Sequence, residues 1–251
     1  MQPVEFEAQN LFDDGRHSRA KIGFVLLATE QTIEDDMMRL MPDGVGAHFA
    51  RVAIPDSITV ESLTAVGLDL ARASSTLLPD GSLDVVSYAC TSGSLVLGED
   101  RVFQELRKGA PNAVATSLIT AVINALNALD VKKIAVCTPY LDEVNLQEKQ
   151  YLEDRGFEVT EIRGLNLERD SDMIRVRPDA IERLAHLVDS EEAQAVFISC
   201  GALRSIEVVE RIERALGKPV ICSNQAMAWD VLRKAGVNDR ISGYGRLLKE
   251  N

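Results

Sequence analysis

The chain has 251 residues, 46% apolar and 26% charged, with a formal net charge of −12. That size and balance suit a soluble globular protein with one large or two small cores. The acidic excess speaks against nucleic-acid binding, which needs a basic footprint, and no apolar run approaches the roughly 18 residues of a membrane span.

The polar, acidic start MQPVEFEAQNLFDDGRHSRA is unlike a signal peptide, so residues 1–20 are expected to form an N-terminal arm and the location to be cytoplasmic. Reducing conditions there favour free thiols over disulfides for the four cysteines. There is no CxxC and no Cys/His cluster at metal spacing, and His17, His48 and His186 lie far in sequence from the cysteine turns described below. No metal site is expected.

After the arm, short apolar runs alternate with amphipathic stretches. Residues 21–28, KIGFVLLA, predict a strand, and 32–41 a helix with a charged face. A second strand covers 47–54. A long helix is expected over 59–78, with Leu63, Val66, Leu70 and Ala73 on one stripe. Strand 83–89, helix 100–108 and strand 112–116 complete a first set. The pattern then restarts with a helix over 120–129, a strand over 132–140, a helix over 143–155 and a strand over 157–164. A helix at 178–187, a strand at 193–199, a helix at 205–216, a strand at 218–222 and a helix at 225–235 follow. Strands alternating with helices predict a parallel α/β architecture.

The restart is an internal repeat. KIGFV at Lys21 matches KIAVC at Lys133, and Cys90 matches Cys200 at nearly the same offset. Both cysteines end an apolar run and open a small-residue turn: LDVVSYAC leads into TSGS, and AQAVFISC into GALRS. Ligands of open parallel sheets bind beyond the carboxyl ends of the strands. Cys90, Cys200, Thr29, Glu30 and Tyr140 all fall at such ends, so facing halves would place them in one cleft.

A thiol attacks only as thiolate, and its pKa drops near donors or at a helix N-terminus. Both turns supply successive backbone N–H groups, which also bind carboxylates and hold a developing enediolate. The competing reading is a small buried hydrophobe. It suits Cys137 and Cys222, whereas the matched pair with matched turns favours chemistry. Tyr140, after the turn fixed by Pro139, either donates its hydroxyl to a ligand or caps a packed surface. Asn224 suits an Asx turn or N-cap, and Glu30 either caps the helix that follows or points into the cleft. Gly243–Arg246 suits a packed turn, and Met37, Met38 and Met41 suit the core.

Together TPYLDEVN (138–145), ISCGAL (198–203), LGKPVICSNQAMAWDVLRKAG (216–236), GYGRL (243–247) and YACTSGS (88–94) resemble the maleate isomerase and arylmalonate decarboxylase branch of the aspartate/glutamate racemase superfamily. LATEQTIE (27–34) and SNQAMAW are closest to a subgroup found with ectoine-degradation genes. The resemblance implies two Rossmann-like domains with four-stranded parallel sheets, related by a pseudo-twofold axis. Their expected extents are 21–117 plus 225–251 for the first and 118–224 for the second, with the active site between them.

It also implies cofactor independence and a small carboxylate substrate. Cys90 and Cys200 would be the two catalytic thiols. Thr91, Ser92, Tyr140 and Gly201 would hold a carboxylate, with Glu30 and Asn224 as further substrate contacts. Decarboxylases of the branch carry Gly in place of the first thiol, so Cys90 favours isomerase or racemase chemistry. Maleate isomerases carry a substrate-binding Asn where this chain has Glu30. An ionised Glu30 would repel a second carboxylate unless it turns away, is protonated, or meets a donor such as an amine or amide. The expectations are therefore cis-trans isomerisation through a Cys90 adduct with Cys200 as acid/base; two-cysteine racemisation, epimerisation or decarboxylation next to a carboxylate, with ectoine catabolism as one setting for it; or metabolite binding without turnover. A homo-oligomer stays open.

Overall fold

The computed structural model describes residues 11–251, so the first ten residues of the expected N-terminal arm lie outside the described residues. Two four-stranded parallel sheets organise the chain. The first contains β1 (Ala20–Leu27), β2 (Val45–Val52), β3 (Val85–Tyr88) and β4 (Val114–Ser117) in the order β2-β1-β3-β4. The second contains β5 (Lys133–Thr138), β6 (Glu158–Gly164), β7 (Ala195–Ile198) and β8 (Val220–Cys222) in the order β6-β5-β7-β8. The two orders are identical, so the sequence repeat is a topological repeat.

Burial explains why these segments are strands. Every residue of β3 (VVSY) and β7 (AVFI) is buried, the pattern of a parallel strand covered on both faces rather than an alternating one. Parallel strands need crossover connections, supplied in the first sheet by α1 (Ile33–Leu40), α2 (Val60–Val66), α3 (Leu70–Ser75), α4 (Thr91–Leu97) and α5 (Glu99–Gly109) and in the second by α7 (Asp142–Asp154), α8 (Asp170–Met173), α9 (Pro178–Val188) and α10 (Val209–Leu216); α6 (Leu118–Ala128) links the two sheets, and α11 (Ser223–Lys234) and α12 (Arg246–Glu250) follow the last strand. Pro178 opens α9 at its first position, where its missing N–H costs nothing. The helices α6 and α11 pack on each other and touch both sheets, α6 meeting β4 and β8, and α11 meeting β3, β4 and β8. This helix pair joins the halves.

Several elements differ from the sequence reading. The stripe over 59–78 is two helices, with Gly67 as the C-cap of α2, where a Cβ would lie 2.8 Å from Leu97 Cδ2. A three-residue 3-10 turn, Ser205–Glu207, precedes α10 where a single helix was expected. The short helices α8 and α12 were not expected as such, and α12 begins at Arg246, the last residue of the Gly243–Arg246 turn; α4 starts at the turn that opens after Cys90. Met37 is in the core, but Met38 is exposed. Among the described residues no helix is long and apolar enough to cross a membrane.

The C-terminal segment returns to the first sheet through a buried polar knot. Asp230 on α11 accepts from Thr116 Oγ1 and Asn124 Nδ2, both at 2.8 Å, and from Lys234 Nζ. Removing one partner of a buried network leaves the rest unsatisfied, at a cost of about 3 kcal/mol. Asp230→Ala is therefore expected to lower the free energy of urea unfolding by about that amount, and an unchanged midpoint would show that the knot does not anchor α11.

Candidate active site

Strand β3 ends at Tyr88, and two residues later Cys90 caps α4. Its sulfur accepts the Gly93 N–H at 3.2 Å, and its carbonyl accepts the Ser94 hydroxyl at 2.6 Å. Gly93 is required by close approach, since a Cβ there would lie 2.3 Å from the Tyr88 hydroxyl and 3.0 Å from Cys90 Sγ. Thr91 and Ser92 follow in the first turn, with Ser92 Oγ 3.7 Å from the Cys90 sulfur.

Strand β7 ends at Ile198, and Cys200 turns sharply with φ = 97°. A non-glycine residue in this region carries strain of about 1–3 kcal/mol and persists only where the surroundings hold it. Here they do. The Cys200 N–H donates to Ser223 Oγ at 3.0 Å, the Gly201 carbonyl accepts from Asn224 Nδ2 at 2.8 Å, and the Ala202 carbonyl accepts from Thr32 Oγ1 at 2.9 Å. The Cys200 sulfur in turn accepts the Ala202 N–H at 3.4 Å. Unlike Cys90, Cys200 does not head a helix: residues 201–203 form a turn only.

The two turns meet. Ser223 Oγ, which holds Cys200, also pairs with Thr91 Oγ1 at 3.1 Å. A small cleft opens above this junction. Cys90, Cys200, Glu30, Thr91, Ser92, Tyr140 and Gly201 all line it. Of the nine residues singled out in the sequence, Thr29 does not, although its hydroxyl donates to the lining Asp170, and neither does Asn224. It stands behind the wall, donating to the Gly201 carbonyl and to Asp36 Oδ2 at 2.8 Å, so it supports the Cys200 turn rather than facing a ligand. Cys137 and Cys222 are fully buried and line no part of the cleft.

Three lining residues escaped the sequence reading: Asp170, Met173 and Ile58. They come from two loops that clasp across the mouth. The Ile58 N–H donates to the Glu168 carbonyl at 3.0 Å, the Asp170 N–H to the Asp56 carbonyl at 3.0 Å, and the Ser171 hydroxyl to Asp56 Oδ2 at 2.6 Å. Asp170 Oδ2 accepts from Thr29 Oγ1 at 2.5 Å. Asp170 sits in an acidic, arginine-rich stretch that looks like solvated surface, and only the loop pairing turns it inward.

Glu30 combines both roles considered for it. Its Oε1 accepts the Thr32 N–H at 2.5 Å and the Ile33 N–H at 3.0 Å at the start of α1, and its carboxyl still lines the cleft. Arg51 Nη1 fastens this loop by donating to the Leu27, Ala28 and Glu30 carbonyls, while Nη2 pairs with Glu34 at 3.0 Å. Burial pushes the Glu30 carboxyl up to about 7 against its backbone donors, and burial also raises Asp170.

The thiols behave contrary to the expectation of a lowered pKa. Burial pushes Cys90 up to about 11, outweighing the Gly93 N–H and the Ser92 hydroxyl, and the Asp170 carboxyl adds to the rise. Cys200 is raised by burial, then by Asp170 and Glu30, against the Tyr140 hydroxyl and the Ala202 N–H. Donors alone do not create a thiolate where desolvation and two carboxyls oppose it. Both sulfurs are therefore thiols at neutral pH.

Comparison with known proteins agrees with this geometry. The pattern of the arylmalonate decarboxylase family matches residues 28–248. A maleate isomerase of Nocardia farcinica is 28% identical over 92% of this chain and 96% of its own length. An arylmalonate decarboxylase of Bordetella bronchiseptica is 29% identical over 93% and 98%. Among solved structures, a Cys→Ser variant of the Nocardia farcinica maleate cis-trans isomerase with a covalently bound succinylcysteine intermediate superposes with a TM-score of 0.84 at 26% identity, covering 92% of this chain and 99% of that one. The chain belongs to the arylmalonate decarboxylase family and is an enzyme of the superfamily of cofactor-independent isomerases and decarboxylases.

A thiol with its pKa near 11 exposes little thiolate at pH 8 compared with an ordinary cysteine near 8.5. Iodoacetamide at pH 8, followed by peptide mass mapping, is expected to label Cys90 roughly a hundredfold more slowly than an unperturbed cysteine, with the rate still climbing at pH 10. Labelling at the unperturbed rate with a flat profile above pH 9 would contradict the assignment.

Proposed function

We propose, for this member of the arylmalonate decarboxylase family, a cofactor-independent isomerase acting on a small carboxylate, with Cys90 and Cys200 as the reacting pair. The observation that carries the proposal is the convergence of two cysteines from separate sheets on one small cleft floored by backbone and hydroxyl donors. The presence of Cys90 favours isomerisation over decarboxylation, and the covalent succinylcysteine seen in a structural neighbour supports a thiol adduct.

In the cis-trans reading the Cys90 thiolate bonds to one alkene carbon. The π electrons move into the adjoining carboxylate as an enediolate, and the Cys200 thiol delivers its proton to the neighbouring carbon. The former double bond, now single, rotates. Cys200 retrieves the proton, the carbon–sulfur bond breaks, and the alkene re-forms in the other geometry. The Thr91 and Ser92 hydroxyls, with the N–H groups of the two turns, hold the enediolate where its charge develops. Tyr140, beside the Cys200 sulfur, opposes the rise that burial gives that thiol's pKa and borders the carboxylate site. Because both sulfurs rest as thiols, the Cys90 thiolate forms only once substrate is bound, its proton leaving to solvent.

A second reading uses the same pair of sulfurs lining one cleft. With one of them deprotonated on substrate binding, a thiolate and a thiol on opposite sides of a saturated carbon next to a carboxylate exchange its proton, the thiolate taking it and the thiol giving its own, which racemises or epimerises it.

Cys90→Ser and Cys200→Ser are each expected to lower turnover by at least a thousandfold while the far-ultraviolet circular dichroism stays unchanged, a loss of about 4 kcal/mol of transition-state stabilisation. In the cis-trans reading the Cys200→Ser protein retains a substrate mass on Cys90, and no deuterium enters a saturated substrate from heavy water. In the proton-transfer reading no adduct forms and deuterium appears at the carbon beside the carboxylate. Full activity of Cys90→Ser would rule out both.

A further inference from the structure

The cleft is bipolar, and among the described residues no cationic side chain lines its second pole. On one side stand donors: the Thr91 and Ser92 hydroxyls and the Gly201 N–H, the Cys200 and Ala202 N–H groups being bonded to Ser223 Oγ and the Cys200 sulfur. On the other stand two carboxyls from different halves, Glu30 after β1 and Asp170 at the head of α8, 6% and 4% exposed. No Lys, Arg or His lines the cleft. Among the described residues neither Glu30 nor Asp170 enters an ion pair, and the nearby Arg51 is spent on three carbonyls and on Glu34. A buried carboxyl without a cationic partner is costly, and two sharing one small cleft are costlier still.

We infer that the substrate is a small acid that also carries a protonated amine, its carboxylate on the donor turns and its ammonium against Glu30 and Asp170. This rests on the isomerase reading above and names its substrate class. Three physical points favour the amine over a second carboxylate. An ammonium supplies the one positive charge that the cleft lacks, between two groups that otherwise repel each other. A dicarboxylate would bring a further negative charge against both at low dielectric. The amine also assists the chemistry: a cation beside Asp170 and Glu30 cancels the influence that these carboxyls exert on the sulfurs and favours thiolate, whereas a second carboxylate pushes both thiols higher. Each carboxyl is already braced for the task. Thr29 holds one oxygen of Asp170 and the start of α1 holds one oxygen of Glu30, which aims them without neutralising them.

The test is equilibrium binding, which needs no turnover. Isothermal titration calorimetry at pH 7.5 on the full chain would compare three matched pairs, glycine with acetate, 2-aminobutyrate with butyrate and 4-aminobutyrate with butyrate, and would include maleate. At least one amino acid of the three is expected to bind tenfold or more tightly than its amine-free partner and than maleate. Asp170→Asn and Glu30→Gln are each expected to erase that preference while tightening maleate. Two variants are specified so that a misfolded one, recognised by its circular dichroism, leaves the other decisive. If no amino acid outbinds its partner, or if both substitutions weaken maleate, the carboxyls are neutral donors to a second carboxylate and the inference fails. The isomerase reading is judged separately, by turnover of the cysteine variants. Amine-selective binding in a protein whose Cys90→Ser form keeps full activity would retain this inference and discard that one.

Discussion

The arrangement depends on one hydroxyl. Ser223 stands at the first position of α11, just after the second sheet ends at β8, and its Oγ receives the Cys200 N–H while pairing with Thr91 beside Cys90. Both contacts are buried, so losing the hydroxyl would leave two polar groups unsatisfied, at about 1–3 kcal/mol each. The geometry at stake matters more than the energy. Cys200 is held in a backbone conformation that it would not choose alone, and the group holding it is also fastened to the other half-site. The two sulfur turns are thus positioned against each other and not merely within their own halves. Further bonds reinforce the same turn, from Asn224 to Gly201 and from Thr32 to Ala202, the latter reaching across from the first half.

Above that junction, burial sets the chemistry. Sulfur, carboxyl and hydroxyl groups are all withdrawn from water, and withdrawal favours the neutral form of each acid. The cleft therefore rests uncharged at its sulfurs and with Glu30 poised near neutrality. An enzyme built this way does not display a standing nucleophile. Its reactivity is conditional on what enters, which protects the thiols from adventitious alkylation and oxidation and links recognition of the substrate to activation of the sulfur.

Much of this was legible in the chain. Apolar runs such as KIGFV and AVFIS could only be buried strands, and the paired offsets of KIGFV with KIAVC and of Cys90 with Cys200 correspond to one strand order used twice. The cysteines could be placed because strand ends in a parallel sheet face the ligand side. What escaped depended on contacts far apart in sequence. The 59–78 stripe carries the periodicity of one helix, yet α2 ends at a Gly67 cap packed against Leu97, thirty residues on. Asp170 looks like surface charge until the 165–170 loop pairs with 56–58. Ser223 and Asn224 are neighbours, and the sequence singled out the amide rather than the hydroxyl. Local pattern cannot say which of two adjacent polar residues at a helix start faces the cleft junction and which lies behind it. The expectation of low thiol pKa values failed for a related reason, because it counted the adjacent donors and could not count the desolvation or the carboxyl from the other half.

The claim on which everything rests is that Cys90 and Cys200 confront each other across a common cleft, and a trivalent arsenical measures this directly, because one arsenic atom can clamp two sulfurs only if they are close and mutually oriented. Titration with phenylarsine oxide, followed by intact and peptide mass spectrometry, should give a single tight equivalent bridging the Cys90 and Cys200 peptides, abolished when either residue is serine. Binding that survives loss of one of the two cysteines, or an arsenic held by Cys137 or Cys222 instead, would contradict the shared site.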